Sequence, residues 1–582
     1  MSASQFEDRS VNPFGRMVGH PLEDEPDVAE INSQAFETCR KTVLDVARIH
    51  EGAAVTIRGE AGTGKTHLLG RIRKWLATQP GSVFVFAPMA TGGRMLWRHL
   101  RARFVDALLR ENSAGTRPLD GLLANRAKVQ RRDLAIALEL LASGAQMRDA
   151  AAWLRGQDLP DAALERMEIS PPGSDDDALE AASRDTIASL CALAEPGVVV
   201  FCLDQMEALE TFPGDTAGLH ALGNAVTYLH DNVRNVCVIC CVQSGFFQQL
   251  EKTLSRPAQD RLLARRDSLN PLDWEQAKLL VSARLGLPPD RWPIDAKAIQ
   301  QVFVDGAAPA RKIITRCKDL YDLLRPGSAP AATPNLDAAL GRMLDERAAP
   351  TDPGDSDAVM RGGLPFFLSA RQIAFRTLGE HSPFDLELPE KRCLVGLCNQ
   401  QNSTSLAARL RKVQEQWNPF THPNLVLLRD TRIPIGPSAD KTRERLEAIA
   451  KKGGKLVSVS KEALEALAAL RRLLADAQSG DLAFGGDSVP PKKVEEWIAG
   501  HMPAVLDPLL RAFSGGASPE PAELAARLVQ LVAERKVIAV AEAARVIGAK
   551  PEEVERCARR DPRLVGWLGG PAPALFQPIN AD

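Results

Sequence analysis

Four runs with little polar alternation organise the first half of the chain: Ala53 to Ile57, Ser82 to Pro88, Val198 to Leu203 and Val236 to Val242. Such runs are expected of strands in a parallel sheet covered on both faces. Between them, apolar positions recur at helical spacing over Ala29 to Ile49, Leu68 to Leu76, Met95 to Leu109 and Arg132 to Leu141. Strands alternating with helices predict a three-layer α/β domain. Residues 93 to 195 are mostly helical by pattern and include the acidic loop Asp175-Asp176-Asp177. Trp274 to Leu285 and Ala296 to Leu324 predict a small helical lid.

Pro, Ala, Gly, Ser and Asp then dominate residues 326–335 and 348–358, with a short helix Leu336 to Arg347 between them, a linker composition. A second α/β pattern follows: strand Arg392 to Leu397, helix Ser405 to Gln416, strand Leu425 to Leu428, helix Lys441 to Lys451 and strand Lys455 to Val459. Long amphipathic helices, Lys461 to Ala477 and Lys492 to Phe513, lead to a last small domain. The resulting division is a core at 1–272 with its insertion at about 93–195, a lid at 273–325, a linker at 326–358, a second α/β domain at 359–515 and a terminal domain at 516–582.

Composition sharpens this only in part. A chain of 582 residues exceeds one core, and a domain size of about 100–200 residues suggests three or four units. The net charge of −2 supplies no overall attraction to nucleic acid, so any DNA contact must come from a local patch. The segment Met1 to Asp8 has no apolar signal core, and no uncharged run of about 18 apolar residues could span a bilayer, which points to the cytoplasm and away from membranes. Of the ten cysteines, Cys237 and Cys240 have the spacing of half a zinc site. They lie inside the apolar run Val236 to Val242 with no second ligand pair, so reduced core thiols and no structural metal are expected.

Chemistry concentrates at Gly59-Glu60-Ala61-Gly62-Thr63-Gly64-Lys65-Thr66, which fits the P-loop pattern GxxxxGK(S/T) at every fixed position, between a strand and a helix running on through His67. In that context the loop's N–H groups and the helix N-terminus surround nucleotide phosphates, and glycines at 59, 62 and 64 permit the close approach. Lys65 would reach the β- and γ-phosphates and Thr66 would ligate Mg²⁺, so ATP and Mg²⁺ are the expected cofactors. The alternative is a Gly-rich turn that binds nothing. A P-loop enzyme also needs a carboxylate at the end of a neighbouring strand to hold the metal, and Asp204 closes the run Val198 to Leu203. The next residue is Gln205, whose amide can orient water but cannot take its proton. Glu207 is the nearest substitute base, the alternative being a solvated loop carboxylate.

With these motifs in place, residues 10 to about 325 resemble an AAA+ ATPase module, in the initiator-type (Orc/Cdc6-like) arrangement and its bacterial relatives. The resemblance rests on the Walker A segment Gly59 to Thr66 and the Walker B strand ending at Asp204. It also uses Gln243-Ser244 after an apolar strand, the segment Asp260 to Arg266, and Gly306 to Arg311. It implies that Gln243 or Ser244 senses the γ-phosphate, that Arg311 is sensor 2, and that Arg265, or else Arg261, is an arginine finger offered to a neighbouring subunit. Arginine suits these roles through its fixed charge and forked donors, although Arg261, Arg265 and Arg266 also read as a solvated basic helix face. Two departures stand out: 204 − 65 = 139 positions separate Lys65 from Asp204, and the glutamate after Asp204 is missing. Both also fit STAND and KAP-type signalling NTPases, where nucleotide state is a switch and turnover is slow.

Residues 517–582 resemble a winged helix, with helices at Ala522 to Arg535, Ala541 to Gly548 and Pro551 to Arg560 and a hairpin at Gly566 to Pro571. Arg556, Arg559 and Arg560 would face phosphates, yet Glu552, Glu553 and Glu555 occupy the half of that helix expected to approach bases. Nine basic and nine acidic residues leave the segment neutral, so DNA contact and protein docking both stay open. In the second α/β domain, Asp385, Glu387, Glu390 and Lys391 invite a nuclease reading, but no ExK follows and Asp430 has no obvious acidic partner, so docking or oligomerisation is the better reading.

The expected whole is a three-layer P-loop NTPase (AAA+-like) core with a helical lid, a second α/β domain and a C-terminal winged-helix domain. It would act as an ATP-dependent switch or assembly motor on DNA or a nucleoprotein, in a bacterial mobile-element, replication or anti-phage defence setting. Its partners would be copies of itself or the product of a neighbouring gene. The alternative is a signalling scaffold that holds nucleotide, hydrolyses it rarely and regulates an effector.

Overall fold

The computed structural model describes residues 12–576 apart from 16–20, 90–94, 113–114, 171–175, 211–214, 325–334, 346–352, 379–381, 437–438, 485–486, 514–520, 548–550, 561–564 and 571–572. The chain forms two compact units, one of residues 1–371 with 464–502 and the other of 372–463 with 503–582.

The first unit is built on five strands, β1 (Ala53–Gly59), β2 (Val83–Pro88), β3 (Val199–Asp204), β4 (Val236–Val242) and β5 (Arg266–Leu269), in the order β2-β3-β4-β1-β5. All pairs are parallel. The apolar runs are explained by burial on both faces. Val199, Phe201 and Leu203 enter one core with the insertion helices, whereas Val200 and Cys202 enter the opposite core with the helices Ser33–Ile49 and Lys65–Leu76. Phe201 meets Phe104 of the insertion edge-on at 5.4 Å, and each such fully buried side chain contributes about 2–3 kcal/mol. Cys237, Cys240 and Cys241 are buried on both sides of β4, where burial pushes the Cys237 thiol up to about 12.

Three features of this unit depart from the periodicity. β5 is polar in three of four positions because it lies at the sheet edge beside β1, so its sequence carries no apolar run. The second lid helix is broken: Ala296–Gln300 and Ala310–Asp322 are separated by a tight turn with left-handed Asp305, pinned by bridges Val304 to Ala307 and Leu272 to Ala308. Finally, the helices Ser356–Ala370 and Lys461–Gln478 meet in this unit, where the bare Gly363 lets Leu467 come close, and Arg361 pairs with Asp176 at 2.8 Å. A second domain running contiguously over 359–515 therefore does not describe the packing. Residues 326–334 and 346–352 of the expected linker lie outside the described residues, and Leu336–Asp345 between them is helical.

The second unit contains a mixed sheet ordered β10-β9-β8-β7-β6, from β6 (Arg376–Thr377), β7 (Leu386–Leu388), β8 (Cys393–Leu397), β9 (Asn424–Asp430) and β10 (Gly454–Val459). The last three are parallel and β6 and β7 antiparallel, an edge the helix-alternation pattern does not reveal. Asp385 accepts from Leu397 N and from Arg409 at 3.1 Å, and Asp430 pairs with Arg432 at 2.7 Å, so both are engaged in structural ion pairs. The expected helix Lys492 to Phe513 is two, Pro491–Gly500 and Asp507–Phe513, interrupted at Pro503, which has no N–H to continue the ladder. At the end of the chain, helices Pro521–Arg535, Val540–Ile547 and Pro551–Arg560 pack around Val554 and Leu575 beside a three-stranded antiparallel sheet of Val537–Ala539, Ala574–Phe576 and Gly566–Leu568. Arg559 lies over the Trp567 ring, while the side chains of Arg556, Arg560, Glu552 and Glu553 lie outside the described residues.

Candidate functional site

β1 delivers the loop Gly59–Thr66 to the C-terminal edge of the sheet, the edge at which parallel α/β sheets place ligands. Gly62 and Gly64 have φ of +78° and +104°, which only glycine adopts readily, and the helix Lys65–Leu76 starts directly after them. Thr63 Oγ1 donates to the Glu60 carbonyl at 2.8 Å, and Asn32 Nδ2 donates to the Thr63 carbonyl at 3.3 Å. Lys65 Nζ folds back onto the carbonyls of Gly59 and Glu60 at 2.9 and 3.2 Å. These are contacts that a phosphate would replace with charged partners. His67 also lines the cavity, with Nε2 at 3.1 Å from the Pro26 carbonyl.

Asp204 ends β3, and β4 lies between β3 and β1, so the carboxylate comes from the second strand over and not from the adjacent one. It nevertheless reaches the loop: Thr66 Oγ1 donates to Asp204 Oδ2 at 2.8 Å. Burial, followed by the negative charge of Asp481, raises the Asp204 carboxyl above its ordinary value. Glu207 sits in the short helix Met206–Leu209 and is not a solvated loop carboxylate; it is 8% exposed and accepts from Gln243 N at 2.8 Å. Burial pushes its carboxyl up to about 7, close to the working range of a general base near neutral pH. Gln243 caps the helix Ser244–Thr253 by position, but its side-chain amide donates to the Gln478 carbonyl at 2.9 Å.

Arg311 opens the helix Ala310–Asp322, and its N–H donates to the Gly62 carbonyl at 3.2 Å, tying the lid to the loop. Its buried guanidinium donates to the Gly480 carbonyl and the Asp481 carboxylate. The phosphate end of the cavity is thus formed by the loop, Asp204, Gln205, Glu207, Arg311, Ser479 and Asp481. The other end is apolar, with Val28, Ile31, Leu272, Leu280 and Ile314, a surface suited to a planar base. Glu25 and Arg284 border it 3.4 Å apart, and Glu25 Oε1 is buried with no hydrogen-bond partner.

No family model matches the chain, and no curated protein sequence matches it either. Among solved structures it is similar to the Aeropyrum pernix ORC2 protein in ADPNP–ADP complexes, at 10% identity over 74% of this chain and 88% of that chain, with a TM-score of 0.30. It is also similar to Drosophila ORC bound to DNA, at 12% identity over 77% of this chain and 92% of that chain, with a TM-score of 0.25. The functional reading rests on the site's own geometry.

That geometry brings together the loop residues, Asp204, Glu207, Gln243 and Arg311. Arg265 lies elsewhere, half exposed and 3.7 Å from Asp45, and Arg261 pairs with Asp231 at 3.1 Å. Two sets of site residues carry no motif. Asn32 precedes the loop by a whole helix, and residues 476–481 arrive from the far end of the chain, where Asp-Ala-Gln-Ser-Gly-Asp reads as an ordinary helix end and turn.

Proposed function

We propose that the first unit is a Mg²⁺-dependent, AAA+-like ATPase working as a nucleotide switch. The observation that carries this reading is the 2.8 Å contact of Thr66 with Asp204 at the mouth of a glycine loop whose lysine rests on two backbone carbonyls. The donor set fits the group: backbone N–H groups, one ammonium and a buried guanidinium for phosphates, and a hydroxyl beside a carboxylate for a hard divalent cation. Thr66 and Asp204 would hold Mg²⁺, which when bound neutralises charge on the phosphate oxygens. Lys65 and the amides from Gly59 to Thr66 bind and orient the phosphates, while the apolar end excludes water from the base. Glu207 takes the proton of an attacking water, the role Gln205 cannot fill. Arg265, exposed on the surface, is proposed as the finger offered to a neighbouring copy.

The target proposed for the switch is DNA or a nucleoprotein, reached through the C-terminal winged-helix-like segment, in a bacterial mobile-element, replication or defence system. The second reading, a slow signalling NTPase, is favoured by one observation: the phosphate end is closed by the chain's own residues 476–481. Turnover separates them. ATP hydrolysis stimulated by DNA and abolished in Lys65→Ala supports the motor, whereas retained nucleotide with negligible, DNA-independent turnover supports the scaffold.

A further inference from the structure

Residues 476–481, the end of the helix Lys461–Gln478 and the turn after it, contact four groups around the phosphate end of the cavity. Arg311 donates to the Gly480 carbonyl and to Asp481. Gln205 Nε2 donates to Asp476 at 3.3 Å and to Asp481 at 3.5 Å, and Gln243 Nε2 donates to the Gln478 carbonyl. Gly480, at φ of +69°, is pressed so close to the loop that a Cβ there would lie 2.3 Å from the Ala61 Cβ. The turn is held in place: Ser479 Oγ donates to Asp481 at 2.8 Å, Ser488 Oγ donates to the Gly480 carbonyl at 3.1 Å, and Arg471 upstream donates to the Ala208 carbonyl.

We infer that Asp481 sets the phosphate specificity of this site: with the turn docked, the cavity accepts a nucleoside diphosphate, and a triphosphate must first displace Asp481 from Arg311. This rests on the nucleotide-site reading above. The argument is one of competing anions. A guanidinium binds carboxylate and phosphate with the same forked donors, and Arg311 already uses two of them on the turn. A γ-phosphate brought beside Asp481 would meet a like charge in a partly buried space, where such repulsion is weakly screened. The β-phosphate depends on the loop amides and Lys65, which the turn leaves accessible to the cavity. Removal of the turn also releases Gln205 and Gln243 together, so loading of the third phosphate is coupled to movement of a segment belonging to the distal part of the chain.

The test is equilibrium binding of Mg·ADP and Mg·ATPγS to the full-length chain, its Asp481→Ala variant and Lys65→Ala, with hydrogen–deuterium exchange at residues 470–490 as a second readout on the wild type. The wild type is expected to favour ADP by about tenfold, and Asp481→Ala to gain about tenfold for ATPγS with ADP nearly unchanged. In the wild type, ATPγS but not ADP should raise exchange in the 476–488 segment. An unchanged ADP to ATPγS ratio in Asp481→Ala, or exchange that ATPγS leaves unaltered, overturns this inference alone. If the wild type binds neither nucleotide and is indistinguishable from Lys65→Ala, the site reading itself falls.

Discussion

On the proposed reading, Glu207 is the side chain that separates a hydrolase from a nucleotide holder. Its carboxyl is pushed up to about 7 by burial, so the base form is lost as pH falls through that value and is complete above it. If it accepts the water proton, kcat should fall tenfold per pH unit below about 7 and level off above, while nucleotide affinity changes little. Glu207→Gln should lower kcat by about 10²–10⁴-fold and leave Mg·ATPγS binding within about twofold, measured by steady-state hydrolysis alongside calorimetry. A variant with unchanged kcat would remove Glu207 from the chemistry and leave it as the acceptor that fixes Gln243 N. Sequence reading placed this residue only by elimination, since nothing in Asp204-Gln205-Met206-Glu207 tells whether the glutamate points into the site or into water. The left-handed Gln205 is what turns the backbone so that Glu207 is enclosed.

Among elements, the turn after the helix Lys461–Gln478 is sensitive to a small change. Gly480→Ala forces a side chain into a left-handed backbone, at a cost of about 1 kcal/mol, and into the Ala61 Cβ. The expected outcome in nucleotide-free protein is a fall in Tm of a few degrees by scanning calorimetry, as the turn lifts from the loop. An unchanged Tm would mean that the turn's docking contributes little to stability. The strands of the central sheet were legible because burial on both faces demands unbroken apolar runs, as in Val198 to Leu203. The polar edge strand β5 was not, because one side of it has no neighbour to bury against. Helix ends followed local chemistry at Pro503 and at residues 301–309, where left-handed Asp305 and Gly306 and the N-cap Pro309 break the helix and pairing of Leu272 with Ala308 fixes the turn within the lid.

For the molecule as a whole, Arg265 is half exposed beside Asp45 and outside the cavity lining, so the finger role proposed for it would have to be played on another copy. Mixing Lys65→Ala, which keeps the arginine but has no phosphate lysine, with Arg265→Ala, which keeps an intact cavity, should restore ATPase activity that each lacks alone. No recovery across a range of mixing ratios would remove the finger from this surface and favour a self-contained switch. Residues 464–502 pack with the first unit, although 372–463 belong with 503–582 to the other.

The sequence by itself determined the glycine loop, its strand and helix, and the placing of Asp204 at a strand end, because the loop pattern fixes residue types at short spacing. It also determined the doubly covered strands, because burial leaves a local apolar signature. Only the tertiary structure decided that β4 separates the two motif strands, that Glu207 is enclosed, and that Asp481 reaches Arg311 across 170 positions of chain. Those outcomes depend on contacts between segments whose individual sequences are unremarkable turns and helix ends, and nothing local records which distant surface a turn will meet.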